Sequence, residues 1–287
     1  MTTELTQRLH DRFGPAGLYR PAPAELAAAA VPAAVAALLS TAGLPLQVGP
    51  YFAAAPGQPL RLADWARTVG LSADGRPEGG WTRLGNDRGA ELCADEAGRV
   101  WAVHVVFQGP TSLVDTGLAA FLDNLCTLDA HLRAVGAAEH PDEVFRLFAA
   151  AEDRVRAVDP HSFGNPEQWW PRVLEDVRHT RGVPGYAAFK VRGRGGEPQI
   201  VTADGSLALH AEEALWHRLS AAGLDPDDVV EVYTELQTCL MPGHYCAVWL
   251  GRAFPNAEFT HSHDYGATAA ERDAGIRELA AALTEGR

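Results

Sequence analysis

The stretch "RHTRGVPGY", residues 178–186, constrains this chain more than any other. Gly182, Pro184 and Gly185 crowd into four positions, where proline removes a backbone donor and glycine removes the steric preference for one conformation, so no regular element is expected to cross it. The order of predicted elements also changes there. A chain of 287 residues accommodates two domains of ordinary size. The reading is therefore an N-terminal extension (residues 1–19), a first domain (20–178), a linker (179–185) and a second domain (186–287).

The first domain groups its strands and its helices separately. "GGWTRLGNDRGAELCADEAGRVWAVHVVF" alternates apolar and polar residues between Gly and Asp-Glu turns, which predicts two or three antiparallel strands. Helical periodicity follows. In "SLVDTGLAAFLDNLCTLDAHLRAVG" the residues Val114, Leu118, Phe121, Leu122, Leu125, Leu128 and Leu132 recur at three- and four-residue steps, and "PDEVFRLFAAAEDRVRAV" repeats the pattern with Pro141 at a helix start. Segregated strands and helices predict an α+β fold. Cys126 lies beside the apolar stripe and reads as a small buried hydrophobe.

Past the break, "YAAFKVRG" and "PQIVTADGSLALH" predict a hairpin joined through the Gly-rich "RGRGGE", which lacks the pattern of a phosphate loop. Then come a helix in "AEEALWHRLSAAG", a strand in "DDVVEVYTEL", a helix through "YCAVWLGRAF", a strand in "AEFTHSHDYG" and a final helix in "AAERDAGIRELAAALTEG". After the opening hairpin, successive β-α units predict an α/β domain, a sheet covered by helices on its faces.

Composition excludes several classes. With 47% apolar and 21% charged residues the chain is globular rather than disordered or fibrous. The formal net charge is −13 and acidic residues dominate both halves: eight basic side chains face fifteen acidic ones from Gly185 onward, and sixteen face twenty-two before it. That balance argues against charge-driven binding to a nucleic-acid backbone. "MTTELTQRLHDRFG" has no apolar core of a secretory signal. The run "ELAAAAVPAAVAALLSTAGLPL" is long enough to span a bilayer, but Pro32 interrupts it and alanine is weakly hydrophobic, so an amphipathic helix of a non-membrane, cytoplasmic protein is expected. Four cysteines, with Cys93 and Cys126 far apart, do not form a secreted disulfide framework.

The remaining two cysteines lie in "TELQTCLMPGHYC". Cys239 and Cys246 admit three readings: a disulfide, a pair of buried apolar residues, or half of a metal site. Cys239 follows a buried strand and Cys246 opens the next helix, which puts both at the carboxyl edge of the sheet, where open α/β sheets bind ligands. The helix before that strand begins at His210, with Glu212 two residues on. One imidazole and two thiolates would leave the fourth position of a tetrahedral Zn²⁺ for water, the arrangement of a catalytic zinc. Such a zinc supplies hydroxide near neutral pH, and Glu212 is placed to shuttle its proton to a ring nitrogen and then to departing ammonia. H-x-E followed by a later Cys pair is the arrangement of zinc nucleobase deaminases. H-x-E by itself discriminates little, since His210 and Glu212 can equally cap and solvate a helix start. The order His at a helix start, strand, then two Cys at the strand-to-helix turn is the informative part.

The last hundred residues, through "HAEEAL", "YTELQTCLMPGHYC" and "FPNAEFTHSHDYG", resemble the bacterial toxin-type members of the cytidine deaminase-like superfamily. The resemblance implies a mixed sheet with helices on both faces, zinc held by His210, Cys239 and Cys246, and Glu212 as proton shuttle. Two departures stand out: Thr238 occupies the place of the usual proline before the first cysteine, and six residues rather than two separate the cysteines. Pro242 and Gly243 permit that longer excursion, which reshapes the pocket mouth. Residues 20–178, through "LPLQVGPYFAA", "WTRLGNDRGAELCADEAGRVWAVH", "DTGLAAFLDNL" and "NPEQWWPRVLEDVRH", resemble the SUKH superfamily of immunity proteins, binding modules that neutralise toxins. No catalytic residue is expected there. Trp169 and Trp170 read as core or interdomain packing rather than a base-stacking platform, and Asp87 and Asp95 as turn residues.

Around the zinc, substrate contacts are expected from Ala211, Thr238, His244 and the "THSHDYG" residues His261, His263, Asp264 and Tyr265. His244 is also a candidate for a metal ligand, and "THSHDYG" for a second metal site or an exposed polar turn. The expected function is a Zn²⁺-dependent hydrolytic deaminase of a base in a nucleotide or single-stranded nucleic acid, related to polymorphic-toxin deaminases, with an immunity-like domain in the same chain. The expected partners are that base and a toxin or interdomain partner for the SUKH-like half. The alternative is a catalytically silent deaminase-like and SUKH binding protein acting in toxin-immunity interactions.

Overall fold

The computed structural model describes residues 2–107, 109–193 and 197–285. The chain divides into two compact units, Met1–Leu174 and Glu175–Arg287.

The N-terminal unit is α+β. After α1 (Thr2–Phe13) and the short β1 (Leu18–Tyr19), the alanine-rich run forms two helices rather than one, α2 (Pro23–Ala28) and α3 (Ala33–Thr41). The break falls where Ala30 takes a positive φ and Pro32 withholds its donor. Then follow β2 (Leu44–Pro45), which pairs with β1, β3 (Gln47–Val48), β4 (Phe52–Ala54) and α4 (Leu62–Thr68). The strands β5 (Thr82–Asn86), β6 (Glu91–Ala94), β7 (Val100–Val103) and β8 (Ser112–Asp115) complete a six-stranded antiparallel sheet in the order β3-β4-β5-β6-β7-β8. Helices α5 (Leu118–Ala137) and α6 (Pro141–Val158) follow, and α7 (Trp169–Gly182) begins in this unit and continues past its last residue, Leu174, into the next.

Two expectations are corrected here. "SLVD" is strand β8, so Val114 belongs to the sheet and the helical stripe starts at Leu118. An apolar residue at the right helical step does not distinguish the two, and Gly117 before the helix marks the change. Helix α7 also runs through His179 to Gly182, and the chain leaves helical geometry only at Val183–Gly185.

Trp169 and Trp170 are core residues of this unit, 2% and 0% exposed, packed edge to face at 4.8 Å. Each buried indole N–H needs an acceptor. Trp169 Nε1 donates to Asp87 Oδ2 at 2.8 Å, and Trp170 Nε1 donates to Asp115 Oδ2 at 2.7 Å. Asp87 is thus a buried anchor as well as a turn residue, and Asp95 likewise accepts from Trp101 Nε1 as well as from its own turn.

The C-terminal unit is α/β. The hairpin β9 (Tyr186–Arg192) and β10 (Pro198–Asp204) pairs in antiparallel register from Tyr186↔Asp204 to Arg192↔Pro198. The tip of the expected "RGRGGE" connection, residues 194–196, lies outside the described residues. Next come α8 (Ala211–Ala221), β11 (Val229–Leu236), α9 (Cys246–Ala253), β12 (Glu258–His263) and α10 (Ala269–Glu285). The sheet order is β10-β9-β11-β12, with β11 antiparallel to β9 and parallel to β12, a mixed sheet. Alternation along β9 sends Ala187, Phe189 and Val191 into a core with Leu215, Val232, Leu250 and Phe254. The opposite parity carries polar pairs, Lys190 with Glu231 at 3.3 Å and Tyr233 Oη with Ser262 Oγ at 2.7 Å.

Candidate metal centre

His210 is the residue immediately before α8, in extended backbone geometry, and its backbone N–H donates to Glu213 Oε2 at 3.2 Å. An acidic side chain three residues into a helix satisfies one of the donors left over at the helix start. This local bond fixes where the His210 side chain leaves the chain.

The two cysteines reach it through the loop after β11. Gln237 N–H donates to His263 O at 2.8 Å, tying the ends of the parallel strands together. Gly243, with φ +84°, turns the chain, the N–H groups of His244 and Tyr245 both donate to Met241 O, and Tyr245 takes a left-handed φ of 46°. Ala247 N–H then donates to Cys239 O at 3.0 Å, which brings Cys239 to the first turn of α9, where Cys246 is the first helical residue. Only a glycine adopts the Gly243 geometry without strain, so the longer loop closes because of its Pro-Gly pair.

All four cysteines are free, which excludes the disulfide reading of Cys239 and Cys246. His210 Nδ1 lies 3.6 Å from Cys239 Sγ and 3.4 Å from Cys246 Sγ, and one ligand atom from each of the three residues falls within 4.8 Å of the others. Tetrahedral zinc, with bonds near 2.3 Å to sulfur and 2.05 Å to nitrogen, separates its N and S ligands by about 3.6 Å. The donor set therefore fits zinc in both chemistry and spacing.

Protonation in the metal-free site follows the same geometry. Burial acts to raise the Cys239 thiol, but the bond from Cys246 and the His210 charge overcome it and hold Cys239 well below the ordinary thiol range. Burial and the neighbouring Cys239 thiolate push Cys246 well above that range. Burial acts to lower His210, and the Cys239 thiolate and Asp176 overcome it, so the imidazole stays protonated well above its usual value. Glu212, 7% exposed, has a carboxyl raised by burial and lies 3.9 Å from His210 Nδ1 through Oε1.

A cavity of about 60 Å³ opens beside these groups, enough for several waters. His210, Ala211, Glu212, Cys239 and Tyr265 line it, as do Asp176, His179 and Thr180 from the end of α7. Tyr265 Oη is 2.9 Å from His179 Nδ1. Burial and the Arg178 charge lower His179 to about 4, so its ring is neutral at pH 7.

Comparison with known protein families gives two matches. The family model described as SUKH-4 immunity protein covers residues 5–176, more than half of the chain. The chain belongs to the SUKH-4 immunity protein family. A second model, described as Xanthomonas-like deaminase, covers residues 182–282. This SUKH-4 protein therefore joins an N-terminal immunity domain to a C-terminal deaminase-family domain. No curated protein and no solved structure matches the chain.

The residues expected to bind substrate in this SUKH-4 protein divide. Ala211 and Tyr265 line the cavity, whereas Thr238, His261, His263 and Asp264 do not. His261 pairs with Asp264 at 3.0 Å and His263 lies 3.8 Å from Glu278, on the solvent side of the strand end. His244 is buried behind the site rather than exposed at its mouth. Its ring stacks on His210 at 3.8 Å, Nδ1 is 2.6 Å from Glu213 Oε2, and Nε2 is 3.0 Å from Asp176 Oδ2. Burial and the His210 charge act to lower it, but the two carboxylates prevail and push it up to about 9. Asp176, Glu213 and His179 were not anticipated. Asp176 carried a visible sign: Trp169, Val173, Asp176 and Thr180 follow helical steps, all are buried, and Asp176 is an acid set within that apolar stripe.

Proposed function

We propose that the C-terminal unit is a zinc-dependent hydrolytic deaminase acting on a base in a nucleotide or single-stranded nucleic acid. The observation that carries this reading is the approach of both cysteine sulfurs to one nitrogen, His210 Nδ1, with a buried carboxylate, Glu212, 3.9 Å from that nitrogen. His210, Cys239 and Cys246 would hold the metal. Bound zinc supplies a water acidified to near neutrality.

The chain's own residues account for the rest. Glu212 takes a proton from the attacking water and passes it to a ring nitrogen. A second transfer through the same carboxyl lets the exocyclic nitrogen leave as ammonia while the carbon keeps the water's oxygen. A carboxyl raised by burial suits a group that must both accept and return a proton. Ala211 and Tyr265 face the space where the base would sit. The acidic surplus from Gly185 onward disfavours long duplexes and suits a nucleotide or short single strand. The SUKH-4 domain would bind a toxin partner, making the chain a relative of polymorphic-toxin deaminases with immunity carried in cis.

Metal analysis of the purified full chain, together with a screen of nucleosides, nucleotides and single-stranded oligonucleotides for ammonia release, tests the reading. Glu212→Gln should keep one zinc and lose turnover by about 10²- to 10⁴-fold. Undiminished ammonia release by that variant would remove Glu212 from the mechanism. Zinc with no turnover on any substrate would instead leave the chain as a binding protein.

A further inference from the structure

The assigned site is supported from a helix that neither deaminase motif contains. Asp176 lies on the penultimate turn of α7, 1% exposed, at the last residue of the SUKH-4 match and six residues before the deaminase match begins. Yet it belongs to the C-terminal compact unit. Its Oδ1 accepts from His210 Nε2 at 3.1 Å and its Oδ2 is 3.0 Å from His244 Nε2. Glu213 Oε2 closes the loop, accepting from the His210 backbone N–H at 3.2 Å and lying 2.6 Å from His244 Nδ1. Two stacked imidazoles are thus held between two buried carboxylates.

We propose that Asp176 is a positioning residue of the metal centre, one that fixes the ring plane of His210 so that Nδ1 faces the two sulfurs. The inference rests on the zinc-site reading given above. An imidazole turns freely about its outer side-chain torsion, whose wells are broad. A carboxylate on the far ring nitrogen pins that angle and fixes the tautomer, leaving the near nitrogen to the metal.

The carboxylate is itself held in place. Glu175, its neighbour, receives a two-pronged bond from the buried Arg272 guanidinium at 2.9 and 2.7 Å, which joins α7 to α10. Thr180 Oγ1, one turn on, accepts from Ala208 N–H at 3.0 Å, just before His210 in the chain. Asp176 is therefore built into a rigid frame rather than swinging toward the ring from solvent.

The experiment uses the full chain as wild type, Asp176→Ala and Asp176→Asn, each checked for folding by circular dichroism and thermal unfolding. Zinc affinity is read by competition with a chromophoric chelator, and geometry by cobalt substitution. Asp176→Ala should bind one metal per chain about 10- to 100-fold more weakly, the range found when an outer-shell partner is removed. It should keep the thiolate-to-cobalt charge-transfer band, because both sulfurs remain, and show altered ligand-field bands, because the imidazole is no longer held. Asp176→Asn, which keeps an acceptor oxygen, should lie between.

A folded Asp176→Ala protein with wild-type affinity and an unchanged cobalt spectrum overturns the proposal. If the alanine variant does not fold, an asparagine variant indistinguishable from wild type in both readouts does the same. Two zinc ions per wild-type chain, one lost with Asp176, would make it a ligand and also overturn the proposal. Wild type that binds no zinc removes the metal-site reading and this inference together. Wild type that binds zinc but releases no ammonia removes only the deaminase reading, and the affinity ratio still decides the role of Asp176.

Discussion

The imidazole of His244 lies 3.8 Å from that of His210, with the ring planes 9° from parallel. Burial and the His210 charge act to lower His244, but Asp176 and Glu213 on either side push it up to about 9, so the ring is a cation at pH 7. His244→Ala removes the cation between two buried carboxylates. It should lower unfolding free energy by about 3–5 kcal/mol, the range for breaking a buried charge pair, while zinc stoichiometry in the folded protein stays at one. Urea unfolding and metal analysis check the two halves. Loss of metal from a folded variant would make His244 a ligand.

Zinc uptake should release protons, and the protonation of the metal-free site sets how many. The bond from Cys246 and the His210 charge overcome burial and hold Cys239 well below the ordinary thiol range, whereas His210 and Cys246 are both pushed well above their ordinary values. Metal ligands must be deprotonated, so binding near pH 7 should expel about two protons per zinc, and affinity should fall as pH falls. Calorimetry in buffers of different ionisation enthalpy measures that number. A value near zero would contradict the proposed ligand set.

His179 gives a pH dependence of the opposite origin. Burial and the Arg178 charge lower it to about 4, while the unfolded chain protonates near the ordinary value of about 6.5. Between those values the unfolded state binds more protons, so stability contributed by the neutral ring is complete above pH 6.5 and is lost as pH falls toward 4, by up to about 1.4 kcal/mol per unit. His179→Asn should be less stable than wild type at pH 7, and the gap should shrink by pH 5. Paired denaturation curves at the two pH values measure it.

In the immunity domain, Trp170→Phe removes the donor to Asp115 Oδ2 without emptying the core. Burial already raises the Asp115 carboxyl well above its usual range, and Asn124 still donates to its other oxygen at 2.8 Å. An acceptor left unsatisfied should cost about 1–3 kcal/mol. The midpoint of denaturant unfolding should move with the slope unchanged.

The sequence made some parts of this molecule easier to read than others, for physical reasons. The β9–β10 hairpin and the alternation of β11 were legible because a sheet with one buried face must place apolar residues at every second position. The convergence of His210, Cys239 and Cys246 was legible because each stands at an element boundary on one edge of the sheet. Val114 was misread because a single apolar residue satisfies either period. His244 was misread because a loop histidine between two ligands gives no sign of folding inward, and its destination depends on Glu213 and Asp176 arriving from other elements. The burial of Asp176 had a sign in the helical stripe of α7, but its pairing with His210 was hidden by distance along the chain: the two lie 34 positions apart, and only the packing of α7 joins them.

Helix α7 has consequences for how such a gene can be rearranged. Its first two residues, Trp169 and Trp170, hold the immunity core, and Asp176, further along the same fourteen-residue helix, bonds to His210. Exchange of the deaminase segment at its first matched residue, 182, would leave that aspartate behind with the old partner. Any swap of one deaminase-family segment for another must therefore either cut upstream of the helix or bring in a replacement that carries its own acid at the equivalent turn.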